Sequence, residues 1–107
     1  AFVMDGQILA GNIAKAKTPA DFKIVGEVLS VEPIAIMIRK DDAAFKKAVD
    51  DSLKAMMSSG EIAKLYDKWF MQAIPPSNTK VGLPLSDATK QAWAAPNDKP
   101  VEEYMKK

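Results

Sequence analysis

Cysteine and histidine are both absent from the 107 residues. Zinc sites built on thiolate or imidazole ligands, thiol nucleophiles and imidazole general bases are therefore excluded. The lack of cysteine does not by itself assign a compartment. A surplus of either charge is missing too: Lys and Arg total 15, Asp and Glu 14, and the net charge is +1. That balance gives no electrostatic reason to expect nucleic acid or an anionic membrane as partner. No run approaches the ~20 apolar residues of a membrane-spanning helix. There is also no basic start followed by a long apolar stretch, the pattern of a signal peptide.

What is present suits a folded α/β chain, with 48% hydrophobic and 27% charged residues. Ala1-Phe2-Val3-Met4 reads as a strand that begins at once, as expected for a piece of a longer protein. Asp5-Gly6 turns this strand into a helix over Gln7–Lys17, with Ile8, Leu9 and Ile13 at helical spacing. Gly11 weakens that helix, and Thr18-Pro19 ends it because proline pushes its predecessor out of helical geometry. Phe22–Val25 reads as a second strand, stopped by Gly26. Glu27–Pro33 reads as extended, and the nearly continuous apolar run Ile34–Ile38 as a strand buried on both faces.

Asp41 or Asp42 is placed to cap a helix over Ala43–Ser58, whose apolar stripe is Phe45, Val49, Leu53 and Met56. Ser58 and Glu61 match a capping box for a second helix, Glu61–Met71, carrying Ile62, Leu65, Trp69 and Phe70. Phe45, Val49, Leu53, Ile62, Leu65 and Trp69 are expected to be largely buried. Pro75-Pro76 opens a loop that runs to Leu85. Ser86-Asp87 caps a short helix through Trp93, Pro96–Asp98 forms a turn, and Pro100–Lys107 is a tail of weak helical character. The order strand, helix, strand, strand, helix, helix implies an α/β layer architecture. Its short, mostly parallel strands are covered by helices, and its sheet is incomplete without upstream chain.

Several residues invite a chemical role. An aspartate before glycine at a strand-to-helix turn serves as a helix cap or as a ligand contact, and Asp5 is open to both readings. Met4 precedes it, and alternation along a strand lets only one of the two face a cleft, so Met4 reads as a weak ligand contact or as core. Trp69 and Phe70 sit at helical spacing with other apolar residues and read as packing. Arg39 and Lys40 read as solvated. Asp41-Asp42 and Asp50-Asp51 lack the glycine-centred loop of a calcium site, and neighbours on a helix diverge, so neither pair forms an acid–base dyad. Gly6 and Gly11 do not complete a phosphate-binding glycine loop.

Four segments together resemble the last part of the family-3 periplasmic solute-binding proteins: Ala1–Asp5, Phe22–Gly26, Ile36–Asp42, and Ser59-Gly60 through Lys68-Trp69-Phe70. Ala73–Pro76 and Ala94–Asp98 resemble the glutamate/aspartate branch. The resemblance implies a periplasmic-binding-protein type II-like fold with two lobes joined by hinge strands. Residues 1–28 would then belong to the second lobe, 29–33 to a hinge strand, and 34–107 to the first lobe. It implies a non-enzymatic periplasmic receptor, without cofactor, that binds a polar or acidic L-amino acid and passes it to ABC permease subunits, its only route to the membrane. It also implies that Asp5 pairs with the ligand's α-ammonium group, although the chain departs from many relatives in carrying Gly6 beside it. An amino-acid-like dehydratase on the same scaffold and a free-standing helical module over residues 41–71 are the alternatives. By itself the chain is expected to self-associate through its open strand edges.

Overall fold

The computed structural model describes residues 1–104. Helix α1 spans Gly6–Lys15 and lies beside the later hairpin, where Ala10 is 8% exposed and is the one buried hydrophobic among the described residues. It stops two residues before the expected Lys17. Ala16 is already extended, and a single 3₁₀ turn, Pro19–Asp21, follows. Helix α2 spans Ala43–Ser58, and the Asp42 carboxylate accepts the Phe45 N–H at 2.9 Å, satisfying an otherwise unpaired donor. Two same-face ion pairs, Lys46–Asp50 and Lys47–Asp51, run along its surface.

A left-handed Gly60 (φ 75°) turns α2 into α3, Glu61–Tyr66. The expected capping box does not form. Ser58 is still inside α2 and donates its hydroxyl to the Ala55 carbonyl at 3.1 Å, while Gly60 takes the cap position. The helix continues to Met71, as expected, but Asp67–Met71 is a wide π turn closed by Gln72 N–H to the Asp67 carbonyl at 3.1 Å. Trp69 stays beside Ile62 and Leu65 on one shallow concavity but is 47% exposed.

The stretch expected as a loop holds a small antiparallel hairpin. Strand β1 (Ala73–Ile74) pairs with β2 (Thr79–Lys80), Ala73 opposite Lys80 and Ile74 opposite Thr79. Asn78 takes the positive φ (53°) of the turn, which asparagine tolerates. The Gly82 N–H then donates to the Phe70 carbonyl at 2.7 Å, tying the hairpin exit to the π turn. Ser86 caps α4, Asp87–Ala94, accepting the Thr89 N–H at 3.1 Å. Helix α4 packs on α2. The short α5, Val101–Tyr104, is held by Tyr104 donating to the Asn97 side-chain oxygen at 2.8 Å. The end of the expected tail lies outside the described residues.

The expected parallel strands are not formed among the described residues. Phe2–Met4, Phe22–Val25 and Ile34–Ile38 are unpaired and, apart from the half-buried Ile38, exposed, with Ile34 99% and Met37 98% accessible. A strand requires hydrogen-bonding neighbours and a buried strand requires two covering layers; the chain supplies neither. The expected burial of the six helix side chains is not reached, for the same reason. Val49, Leu53 and Ile62 are half-buried, whereas Phe45, Leu65 and Trp69 are exposed. The accessible surface is 9133 Å², against about 5,900 Å² for a closed domain of this mass. The apolar faces of the helices are therefore left partly open among the described residues.

Candidate functional site

Asp5 occupies the cap position of α1, with φ −53° and ψ 136°. Its carbonyl accepts the Leu9 N–H at 2.9 Å, but its carboxylate makes no capping hydrogen bond. The backbone thus performs the structural task, and the side chain remains exposed and unspent at the positive end of a ten-residue helix. Nothing among the described residues bonds or ion-pairs with that carboxylate. Met4, beside it, is 48% exposed, so its core reading does not hold within this chain. Asp5 and Met4 are adjacent in sequence, and among the described residues no second charged side chain forms an ion pair with Asp5.

The other residues weighed from the sequence take structural positions. Phe70 stacks on Tyr66 with ring centroids 4.4 Å apart, and Trp93 meets Tyr66 edge-on at 6.3 Å. Phe70 is thereby packing, as expected. Trp69 is instead half-open beneath the Lys68 ammonium, which lies 5.3 Å from its ring. Arg39 and Lys40 are exposed and form no ion pair among the described residues. Asp50 and Asp51 are engaged by separate lysines, which is why they do not act as a dyad. No cluster of three metal-ligating side chains occurs among the described residues.

Two concavities lie away from Asp5. An open groove of about 790 Å³ runs between α2 and α4, with Met57, Leu85 and Trp93 on its walls and Lys54 and Lys90 at its rim. A smaller one of about 270 Å³ lies over Ile62, Phe70 and Trp93. Both are mainly apolar, a poor match to a zwitterion, and neither contains Asp5 or Met4. The groups with displaced ionisation are elsewhere as well. Hydrogen bonds from Lys47 and Lys90 hold Asp51 and Asp87 below the ordinary carboxylate value, and burial pushes the Tyr66 phenol up. These shifts belong to helix surfaces and to packing.

The sequence reading missed the link between the hairpin exit and the aromatic cluster. Tyr66 and Phe70, four apart on a helix, carried a signal for their own contact; the Tyr66 bond to the Leu83 carbonyl had none.

Comparison with known proteins places these elements. The profile of the bacterial extracellular solute-binding proteins, family 3, matches residues 4–72, from Met4 and Asp5 through the π turn. The L-glutamate/L-aspartate-binding protein of Pseudomonas aeruginosa is 46% identical over 103 residues, covering 96% of this chain and 34% of that protein. The glutamate/aspartate import solute-binding protein of Escherichia coli K12 is 48% identical over 99 residues, covering 92% of this chain and 33% of the relative. A glutamine-binding protein of an ABC transporter in Bacillus subtilis is 31% identical over 72 residues, 67% of this chain and 25% of its own length. The chain thus spans about a third of the length of the glutamate/aspartate relatives it matches. With the profile matched across α1, α2 and α3, the chain belongs to the bacterial extracellular solute-binding proteins, family 3.

Proposed function

We propose that this chain is part of a periplasmic receptor that binds a polar or acidic L-amino acid, glutamate or aspartate foremost, and delivers it to the permease of an ABC importer. The observation that carries the reading is the 46–48% identity to glutamate/aspartate-binding proteins over 92–96% of the chain. Such similarity reaches past the profile's end at Gln72 into the hairpin and α4. In this reading the receptor works by binding alone, without cofactor or catalysis.

The complete receptor has two α/β lobes of the type II arrangement, with mostly parallel strands. Residues 1–28 belong to the second lobe, 29–33 to a hinge strand and 34–107 to the first lobe. The exposed apolar runs at Phe2–Met4, Phe22–Val25 and Ile34–Ile38 support this division, since each needs strands and layers that the chain does not provide. Asp5 pairs with the ligand's α-ammonium. A cation enclosed in a water-poor cleft needs an ionised partner, and the Asp5 carboxylate is free because the cap does not use it. Met4 contributes at most an apolar contact beside it.

Titration calorimetry of the complete receptor against glutamate, aspartate, glutamine and arginine tests the assignment. Binding of glutamate and aspartate above the other two is expected. Preference for arginine, or no amino-acid binding, overturns it.

A further inference from the structure

Helix α1 packs beside strand β2, whereas α2 packs on α3 and α4. The covered stripe of α1 is Ala10, Ile13 and Ala14, which share one helical face, with Ala10 buried and the other two half-buried. Two of the three are alanines, so a strand can come close to the helix there. The chain running through β2 has an alternation of its own: Thr79, Val81 and Leu83 are half-buried, while Lys80 and Gly82 are exposed. That is the pattern of an extended segment with one face covered. We propose that this contact is a latch between the two lobes of the receptor, made in the closed arrangement, where it holds α1 and Asp5 over the ligand. The inference rests on the receptor reading, with residues 1–28 in the second lobe and 34–107 in the first.

The hairpin is fastened to its own lobe. The Gly82 N–H donates to the Phe70 carbonyl at 2.7 Å, and the Leu83 carbonyl accepts the Tyr66 hydroxyl at 3.1 Å, so the hairpin exit is bound to α3 and the π turn. Between the hairpin and α1, by contrast, no backbone hydrogen bond or ion pair forms among the described residues. A contact of packed side chains without directional bonds can part and re-form as two rigid bodies move about a hinge.

The helix carries the effect to the site. Asp5 heads α1, and Ala10 lies five residues further, about 7.5 Å along the axis. A helix segment this short moves as one piece, so the seat of Ala10 also sets the position of Asp5. Ala10 is a positioning residue and does not itself touch the ligand. A latch made only on closure lowers the share of the closing free energy that the ligand must supply, and it slows release.

The complete receptor, with Ala10→Gln and Ala10→Ser beside the wild type, provides the test. Calorimetry gives glutamate affinity, stopped-flow mixing gives the rates of capture and release, and calorimetric melting without ligand gives stability. Glutamine is tolerated in a helix but is too long for the seat, whereas serine fits the space of alanine. Ala10→Gln should bind glutamate about tenfold more weakly, through faster release at an unchanged rate of capture. Its melting temperature without ligand should match the wild type, because open lobes do not make the contact. Ala10→Ser should bind as the wild type does. Unchanged or tighter binding by Ala10→Gln, or weakening through slower capture, overturns the latch. A lower melting temperature without ligand, or a variant that does not fold, makes the contact a permanent structural one and also overturns it. Ala10→Ser binding as weakly as Ala10→Gln removes the size-limited seat. A wild type that does not bind glutamate sinks the receptor reading, and the latch falls with it.

Discussion

The Tyr66 hydroxyl donates to the Leu83 carbonyl at 3.1 Å while its ring stacks on Phe70, so one side chain joins the end of α3 to the strand exit before α4. Tyr66→Phe keeps the stack and removes only the donor. The Leu83 carbonyl is part-buried, and loss of its partner is expected to cost about 0.5–1.5 kcal/mol. Urea unfolding followed by circular dichroism measures it. An unchanged midpoint would mean that water replaces the hydroxyl without loss.

The same phenol provides an alkaline signature. Burial raises its ionisation above the ordinary value of 10.0, because the packed ring favours the neutral form. The corresponding stability is fully present below pH 10 and is lost as pH rises through the higher value of the folded state. In an absorbance titration, the component that disappears in Tyr66→Phe should be one that titrates above pH 10. Loss of a component at or below that pH would contradict the packing.

Below neutrality the chain should respond only at acid pH. It has no histidine, so no side chain of ordinary ionisation titrates between about pH 5 and 8. Asp51 and Asp87 are depressed first of all by hydrogen bonds from Lys47 and Lys90. Their contribution is therefore present above the ordinary carboxylate value of 3.8 and is lost as pH falls through the lower folded value. Both pairs are exposed, so the loss should be small and should shrink further in salt. Helix content followed against pH at two ionic strengths checks this; a transition near pH 6.5 would contradict it.

Two glycine-to-alanine changes should act in opposite directions. Gly60 holds φ 75° between α2 and α3, and a side chain there costs about 1–2 kcal/mol. Gly11 lies inside α1 with open space where a Cβ would project, so alanine should favour that helix by about 0.5–1 kcal/mol. Circular dichroism with thermal unfolding separates the two. Equal effects would contradict the conformation described for at least one of the two glycines.

Asp5→Asn in the complete receptor should weaken amino-acid binding by about 2–5 kcal/mol, because the ligand's ammonium would be left without its ionised partner. Helix α1 should be unaffected, since the carboxylate takes no part in the cap. Calorimetry and far-ultraviolet circular dichroism give the two readouts. Undiminished affinity removes Asp5 from the site, and a melted α1 returns it to a structural role.

Local chemistry in the sequence determined the helices. The Asp42 and Ser86 caps, the span Ala43–Ser58 and the helical extent to Met71 depend on residues within a turn or two of one another. The sequence also placed Asp5 at the head of α1, and the family resemblance rested on motifs read in order along the chain. Tertiary structure decided what depends on distant partners. The hairpin pairs Ala73 with Lys80 through strands of two residues each, too short for any periodicity to show. Ile34–Ile38 has the composition of a buried strand but is left open, because burial belongs to a pair of surfaces and this chain supplies only one. Trp69 keeps its place beside Ile62 and Leu65 yet stays half-open, because nothing among the described residues covers that face. At Asp5 the sequence allowed both cap and ligand contact. The backbone geometry left its carboxylate unbonded, because the Asp5 carbonyl alone joins the first turn of the helix.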